Sequence, residues 1–184
     1  MLSMLENCER KMRKMRDGKK ITGLIKTENT IIKNFPSLII LGVVFLLDRL
    51  SKNYILDYFK TSDTEIVVNN FLNFDLIWNS GVAFGFFSFN DTLAYQLMTV
   101  LISTIIIFLI YFLFKSSSKE KLFFALIIGG AAGNLFDRLI YFSVPDFIDL
   151  HYREFHWFTF NIADIFITIG IICILFYEIF KKQA

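Results

Sequence analysis

The hydrophobic residues of this chain fall into four long runs that are separated by polar stretches. The runs lie at about residues 36–58, 92–114, 121–142 and 161–180. An α-helix needs roughly 20 apolar residues to cross the bilayer core, and the first, third and fourth runs reach this length when their polar ends are included. Apolar residues are clustered in these runs rather than spaced at amphipathic intervals. The pattern predicts an integral membrane protein with four transmembrane helices.

The composition agrees with this prediction. Of the 184 residues 55% are hydrophobic, and 23 are phenylalanine, whereas a soluble domain has roughly 45–50% apolar residues. The net charge of +2 says little about partners, and no nucleic acid is expected. Cys8 and Cys173 lie in a charged tail and an apolar run, so no disulfide is expected. His151 and His156 share one loop, but a zinc site would need more ligands, so no metal or cofactor is expected.

The positions of Lys and Arg predict the orientation. Nine precede residue 35, three lie in 115–121 and two at 181–182, while 59–91 and 143–160 hold one each. Cytoplasmic flanks carry the excess of positive charge, so both termini are predicted to be cytoplasmic. The chain is divided accordingly into a charged tail (1–35), a membrane domain (36–180) and a C-terminus (181–184).

Three of the four runs carry ionisable residues in the part that this orientation places at the outer end. A charge at the helix centre costs roughly 2.5–3.5 kcal/mol on insertion scales, so such a group of charges indicates a site. Ser51, Asn134 and Asn161 extend the polar positions at i, i+3 and i+4 spacing, which is one helix face. Gly129 and Gly133 form a small-xxx-small pair that permits close helix approach. The residues at this end that indicate the site are Asp48, Lys52, Asp137, Arg138 and Asp164.

The two outer loops differ in pattern. Ile66–Val68 and Phe71–Trp78 are strand-like and are separated by a turn-prone Asn69-Asn70. They predict a small antiparallel sheet at about 59–91 on the outer surface. Its apolar face is predicted to contact lipid through Phe84, Phe86 and Phe87. The second loop, 143–160, contains aromatic residues that suit a membrane interface.

Asp146 and Asp164 flank this second loop, and both can reach the outer mouth of the helices. Two carboxylates held close together cannot both ionise, so they share a proton. One can then activate a water to attack an amide carbonyl, while the other protonates the oxygen or the leaving amine. Asp149 competes with Asp146 on proximity alone. The sequence has neither a Gly-x-Ser-x-Gly elbow nor a His-Glu-x-x-His motif.

Five ordered motifs give the chain a strong resemblance to the lipoprotein signal peptidases, or signal peptidase II, over roughly residues 36–180. Any one motif alone is weak evidence, but all five in order are specific. The motifs are Asp48-Arg49-Leu50-Ser51-Lys52, Asn79-Ser80-Gly81-Val82-Ala83-Phe84-Gly85, Gly133-Asn134-Leu135-Phe136-Asp137-Arg138, Val144-Pro145-Asp146-Phe147 and Phe160-Asn161-Ile162-Ala163-Asp164.

The resemblance implies an all-α membrane protein with four transmembrane helices, a small extracytoplasmic antiparallel β-sheet and an outer-loop helix. It implies an aspartic endopeptidase of the bacterial cytoplasmic (inner) membrane, with its active site at the outer face. Its substrates would be prolipoproteins, cut just before a diacylglyceryl-modified cysteine. Membrane lipids would be further partners, and the cyclic peptide globomycin would inhibit it.

Carried over residue by residue, the resemblance makes Asp146 and Asp164 the catalytic pair. The chain departs from the family at Pro145, where an aliphatic residue is usual, and in its tail 1–34, which has no counterpart. Asn134, Asp137, Arg138 and Asn161 would position the substrate backbone and brace the pair, and Asn79 and Gly81 would lie on the substrate-holding sheet. The full set of supporting residues is Asp48, Lys52, Asn79, Gly81, Asn134, Asp137, Arg138, Asn161 and Ala163.

Purely structural readings stand beside these roles. Asp137-Arg138 could be an ion pair closing a helix end, Asp48–Lys52 an i,i+4 pair that eases insertion, and Asp164 a helix-capping carboxylate. Asn134 and Asn161 could simply join helices by hydrogen bonds. Two other functions are a proton- or ion-coupled transporter and a non-catalytic lipid-binding or assembly subunit. A proton relay would place acids at successive depths, whereas these acids cluster at one face.

Overall fold

The described part of the chain contains four long helices. The computed structural model describes residues 34–81 and 92–181, and the predicted tail 1–34 and segment 82–89 fall almost entirely outside these ranges. The helices are α1 (Asn34–Phe59), α2 (Thr92–Lys115), α3 (Ser118–Tyr141) and α4 (Ile162–Lys181). All four are long and apolar enough to cross a membrane. The four predicted spans are confirmed, with boundaries that differ by three residues or fewer.

Glycines on α3 let its neighbours come close. A Cβ atom at Gly129 would lie 2.8 Å from the backbone oxygen of Leu41 on α1, and one at Gly130 would lie 2.5 Å from that of Ala163 on α4. A Cβ at Gly133 would overlap the Asp48 carboxylate. The predicted close approach is therefore confirmed, and it brings both α1 and α4 against α3.

The sheet has four antiparallel strands in the order β1-β2-β3-β4. The strands are β1 (Ile66–Asn69), β2 (Leu72–Asn79), β3 (Val144–Tyr152) and β4 (Phe155–Phe160). The first two strands confirm the prediction. The last two are formed by the loop that joins α3 to α4, so the sheet is not confined to 59–91.

A helix in an outer loop was also expected. In the described parts of the two loops, residues 60–81 and 142–161, the chain forms strands and turns instead, and the rest of the first loop lies outside the described residues. Aromatic residues favour strands, so the run Phe155–Phe160 pairs with β3 rather than winding into a helix.

Apolar packing fixes β3 against the helices. Phe147 and Ile148 of β3 and Ile55 of α1 are buried in one cluster, against which Phe160 and Ile165 also pack. Burial of each such side chain stabilises the fold by about 1.5–3 kcal/mol. Strand β3 is thus held where α1 and α3 end and α4 begins, and this placement positions Asp146.

Candidate active site

Asp146 and Asp164 line the same cavity, which has a volume of about 290 Å³. Asp146 lies on β3 and Asp164 in the first turn of α4, and they are 2% and 8% exposed. Asn79, Asn134, Arg138 and Asn161 line the same space. The polar faces of the third and fourth spans therefore meet at the end of the bundle that bears the sheet.

Amide groups hold both carboxylates. Asn79 Nδ2 donates to Asp146 Oδ2 at 2.9 Å, and Asn161 Nδ2 donates to Asp146 Oδ1 at 2.5 Å. Asn134 Nδ2 donates to Asp164 Oδ1 at 2.8 Å, and the backbone N–H of Asn161 donates to Asp164 Oδ2 at 3.2 Å. Since an ionised carboxylate oxygen accepts more than one hydrogen bond, each oxygen keeps capacity for a water or a proton.

The start of α4 explains why Asp164 lies here. Asn161 precedes the helix, and its Oδ1 accepts the backbone N–H of Asp164 at 3.1 Å while Asp164 Oδ2 accepts that of Asn161. This reciprocal arrangement resembles a capping box, which satisfies N–H groups that the first helical turn leaves free. The capping alternative for Asp164 is therefore correct for Oδ2, while Oδ1 contacts Asn134.

Burial shifts the protonation of Asp146. Loss of solvent is the largest cause, the nearby Asp164 charge is the next, and together they raise the pKa of Asp146 to about 6. Hydrogen bonds from Asn79 and Asn161 and the charge of Lys52 oppose the rise. Asp146 therefore holds a proton at a pH where an ordinary aspartic acid has lost it.

Asp149 contacts a different group. Its Oδ2 lies 2.6 Å from His156 Nδ1, and among the described residues it does not line the cavity that holds Asp164. Side chains three positions apart on a regular strand point to opposite faces, which separates Asp149 from Asp146. Geometry thus pairs Asp164 with Asp146.

A buried ionic framework lies behind the pair. Lys52 Nζ donates to Asp137 Oδ2 at 2.7 Å and to the Asp48 carboxylate at 3.0 Å, and all three side chains are fully buried. The Arg49 guanidinium donates to Asp137 Oδ1 at 2.5 Å and to Asp48 Oδ2 at 2.7 Å. Two acids and two bases balance in charge, which limits the cost of burying them.

Two hydrogen bonds connect this framework to Asp164. Lys52 Nζ donates to Asn134 Oδ1 at 2.7 Å, and the amide of Asn134 donates in turn to Asp164. Asp48 Oδ1 accepts the backbone N–H of Ala163 at 3.1 Å, one residue before Asp164. The framework therefore fixes the first turn of α4.

Arg138 has a different partner from the one in the ion-pair alternative. No Asp137–Arg138 salt bridge forms within the described part of the chain; Arg138 donates to the backbone oxygens of Asn134 at 3.2 Å and Gly81 at 2.9 Å. Gly81 is held by its own N–H, which donates to Asn79 Oδ1 at 2.9 Å. Arg138 thus ties α3 to the end of β2.

Arg49 belongs to this framework although no role for it was predicted from the sequence. Arg49 follows Asp48 directly, and helical spacing places it outside the face that Asp48 and Lys52 share. Its long side chain nevertheless reaches back to Asp48 and Asp137. Its guanidinium also lies 4.9 Å from the centre of the Phe136 ring. The feature of the sequence that could have indicated a role for Arg49 is its position in an apolar run next to Asp48.

Substituting Gly133 tests the contact between α3 and the framework. Gly133→Ala places a methyl group on the Asp48 carboxylate, and such overpacking typically costs about 1–3 kcal/mol. Gly42→Ala is the matched control, because nothing lies within 4 Å of that position. In thermal unfolding in one detergent we expect only the Gly133 variant to melt lower; equal melting temperatures would contradict this packing.

The raised pKa of Asp146 predicts how stability depends on pH. The pKa of Asp146 in the folded protein, about 6, lies above the ordinary 3.8. The stability that protonated Asp146 gives the folded state is therefore fully present below about pH 4 and is lost as the pH rises through 6. Asp146→Asn does not titrate. Its unfolding free energy relative to wild type should therefore rise by up to about 3 kcal/mol between pH 4 and 7, as measured by denaturant unfolding. A difference that stays constant with pH would contradict the shift.

Four apolar helices, a four-stranded antiparallel sheet and a buried carboxylate pair in one cavity define a helical membrane protein with a hydrolase-like site. The family described as Signal peptidase (SPase) II matches residues 40–180. The chain therefore belongs to the signal peptidase II family, which are proteases. This membership decides against the transporter and assembly-subunit alternatives.

Individual relatives agree with the family assignment. The "Lipoprotein signal peptidase" of Pelagibacter ubique (strain HTCC1062) is 50% identical over 81% of this chain and 91% of its own length. That of Anaplasma marginale (strain Florida) is 38% identical over 74% and 80%. A solved bacterial membrane enzyme, determined in meso at 2.3 Å, is 30% identical with a TM-score of 0.66, covering 81% of this chain and 90% of that one.

Proposed function

We propose that this protein is an aspartic endopeptidase that removes signal peptides from bacterial prolipoproteins by cutting before the diacylglyceryl-modified cysteine. The observation that carries the proposal is the shared cavity of Asp146 and Asp164, whose oxygens all accept amide hydrogen bonds. Family membership supports the peptidase activity, and the printed names of the relatives support lipoproteins as the substrate class.

The chemistry follows from one proton shared by two carboxylates. We assign that proton to Asp146 at rest, because its pKa is raised to about 6. Asp164 then removes a proton from a water while the oxygen of that water attacks the scissile carbonyl carbon, and Asp146 protonates the carbonyl oxygen. Collapse of the tetrahedral intermediate returns a proton to Asp146 while Asp164 protonates the leaving amine. The C–N bond breaks, and the products are a carboxylic acid and a free amine.

The cavity extends from the carboxylates along apolar side chains. Ile167 and Ile171 lie about one and two turns along α4 from Asp164, and Ile102 of α2 and Ala131 of α3 line the same space. An apolar channel beside a polar centre suits a substrate whose cleavage site adjoins hydrocarbon. We assign this channel to the apolar part of the precursor, and a cyclic peptide inhibitor such as globomycin would compete for the same space.

Charge asymmetry supports the proposed placement in the bacterial cytoplasmic membrane. Of the 19 Lys and Arg residues, 14 lie in the chain segments that flank the ends of the spans away from the sheet, and such residues favour the cytoplasmic side. Both termini would then be cytoplasmic and the carboxylate pair would lie at the outer face. A lipid-modified cysteine anchored in the outer leaflet would meet the pair there.

Two forms of one precursor test the proposal. The purified chain in detergent micelles is incubated with a prolipoprotein whose cysteine carries diacylglyceryl and with the unmodified protein. We expect cleavage of the modified precursor alone. Cleavage of neither form would refute the peptidase, and equal cleavage of both would refute recognition of the lipid.

A further inference from the structure

Three potential metal ligands meet on the hairpin of β3 and β4, outside the carboxylate cavity. Asp149, His151 and His156 each offer one ligand atom, and these atoms all lie within 4.8 Å of one another. The sequence alone placed two histidines in one loop and lacked a third ligand. Strand pairing supplies it, because His151 faces His156 across the hairpin and Asp149 lies two residues before His151.

Polar atoms in this cluster lack partners. Among the described residues, Asp149 Oδ1 and His151 Nδ1 are buried and make no hydrogen bond. Asp149 is 4% exposed. A buried polar atom without a partner costs about 1–3 kcal/mol, so such atoms in a native structure call for a ligand, an ion or a water. Two of them in one cluster of ligand-type side chains point to a bound cation.

The spacing suits a tetrahedral ion. Asp149 Oδ2 lies 2.6 Å from His156 Nδ1 and 3.9 Å from His151 Nδ1. Ligand atoms about 2.0–2.2 Å from a tetrahedral zinc ion are about 3.3–3.6 Å apart. The observed separations bracket that range, so a small side-chain movement would bring both pairs to it. The two imidazole rings already stack, with centroids 5.4 Å apart.

We propose that this hairpin binds one divalent transition metal ion of the zinc type through Asp149, His151 and His156, with a fourth position open to water. Two imidazoles and one carboxylate favour zinc, cobalt, nickel or copper over magnesium and calcium, which prefer all-oxygen sites. The ion would join β3 to β4. It would thereby stiffen the strand that carries Asp146, three residues before Asp149, without entering the proposed peptide hydrolysis.

Cobalt(II) tests the site through its visible absorption, which is independent of peptidase activity. The full chain, purified without a polyhistidine tag, is titrated with cobalt in detergent and then with zinc as competitor. We expect one equivalent of cobalt to give tetrahedral-type bands that zinc abolishes. Absence of these bands at micromolar protein would overturn the proposal.

Two variants locate the ion. His156 is half exposed, at 56% of its side chain, so His156→Ala should fold normally and weaken cobalt binding at least tenfold. Glu154→Gln, in the turn of the same hairpin, is the matched control and should bind like wild type. Unchanged affinity in His156→Ala, or equal loss in both variants, would show that any bound cobalt lies elsewhere.

Discussion

Replacing Asp146 or Asp164 by asparagine should lower the single-turnover rate of precursor cleavage by about 10²–10⁴-fold, the range typical of general acid–base groups. Either change removes the shared proton or the base that accepts one from water. Each asparagine keeps the size of the side chain it replaces. Precursor binding, measured by equilibrium titration, should therefore change much less than the rate.

Asp149→Asn is the control for this pair. Its side chain contacts His156 rather than the cavity, so with a chelator present in every reaction its rate should stay within a few-fold of wild type. Cleavage by Asp164→Asn at the wild-type rate would refute the assignment of Asp146 and Asp164 as the catalytic pair. Loss of cleavage in Asp149→Asn with retention in Asp146→Asn would show that the wrong partner has been chosen for Asp164.

Lys52→Met should produce the largest loss of stability. It removes a cation that contacts Asp48, Asp137 and Asn134 and leaves two fully buried acids with Arg49 alone. Removing one partner of a buried ion pair costs about 3–5 kcal/mol. We expect a large drop in melting temperature in detergent, together with lower yields of folded protein.

Lys60→Met is the matched control for this substitution. Lys60 pairs with Asp57 at 2.6 Å, but both side chains are more than 70% exposed, and such surface pairs contribute little to stability. Its melting temperature should equal that of wild type within error. A Lys52 variant that melts like the Lys60 variant would contradict the framework.

The sequence predicted the four helices because a bilayer demands long apolar runs, and that signal needs no tertiary context. Polar spacing likewise predicted that Asp48, Lys52, Asn134 and Asp164 would converge. The contacts of Arg49 were not predicted, because a long, flexible side chain can reach beyond the helix face on which its backbone position places it. The choice of Asp146 over Asp149 came from motif position, and strand alternation gives it a physical reason.

Strand pairing produced the features of the fold and the site that the sequence did not predict. β3 begins with Val144-Pro145-Asp146, and proline and aspartate are both depleted in strands, so propensity favoured a loop. β3 is nonetheless paired on both sides, with β2 and β4. The same pairing gathers Asp149, His151 and His156, which spacing in the sequence does not place together. Non-local contacts of this kind leave little trace in a single sequence.

Mass spectrometry of the cleavage products in H₂¹⁸O tests the central claim most directly. Wild type acting on the lipid-modified precursor should release a mature chain that begins at the modified cysteine and a signal peptide whose new carboxyl carries one ¹⁸O atom. Asp146→Asn and Asp164→Asn should release neither product over the same time. Cleavage at another bond, or the same products at the wild-type rate from either variant, would contradict the account.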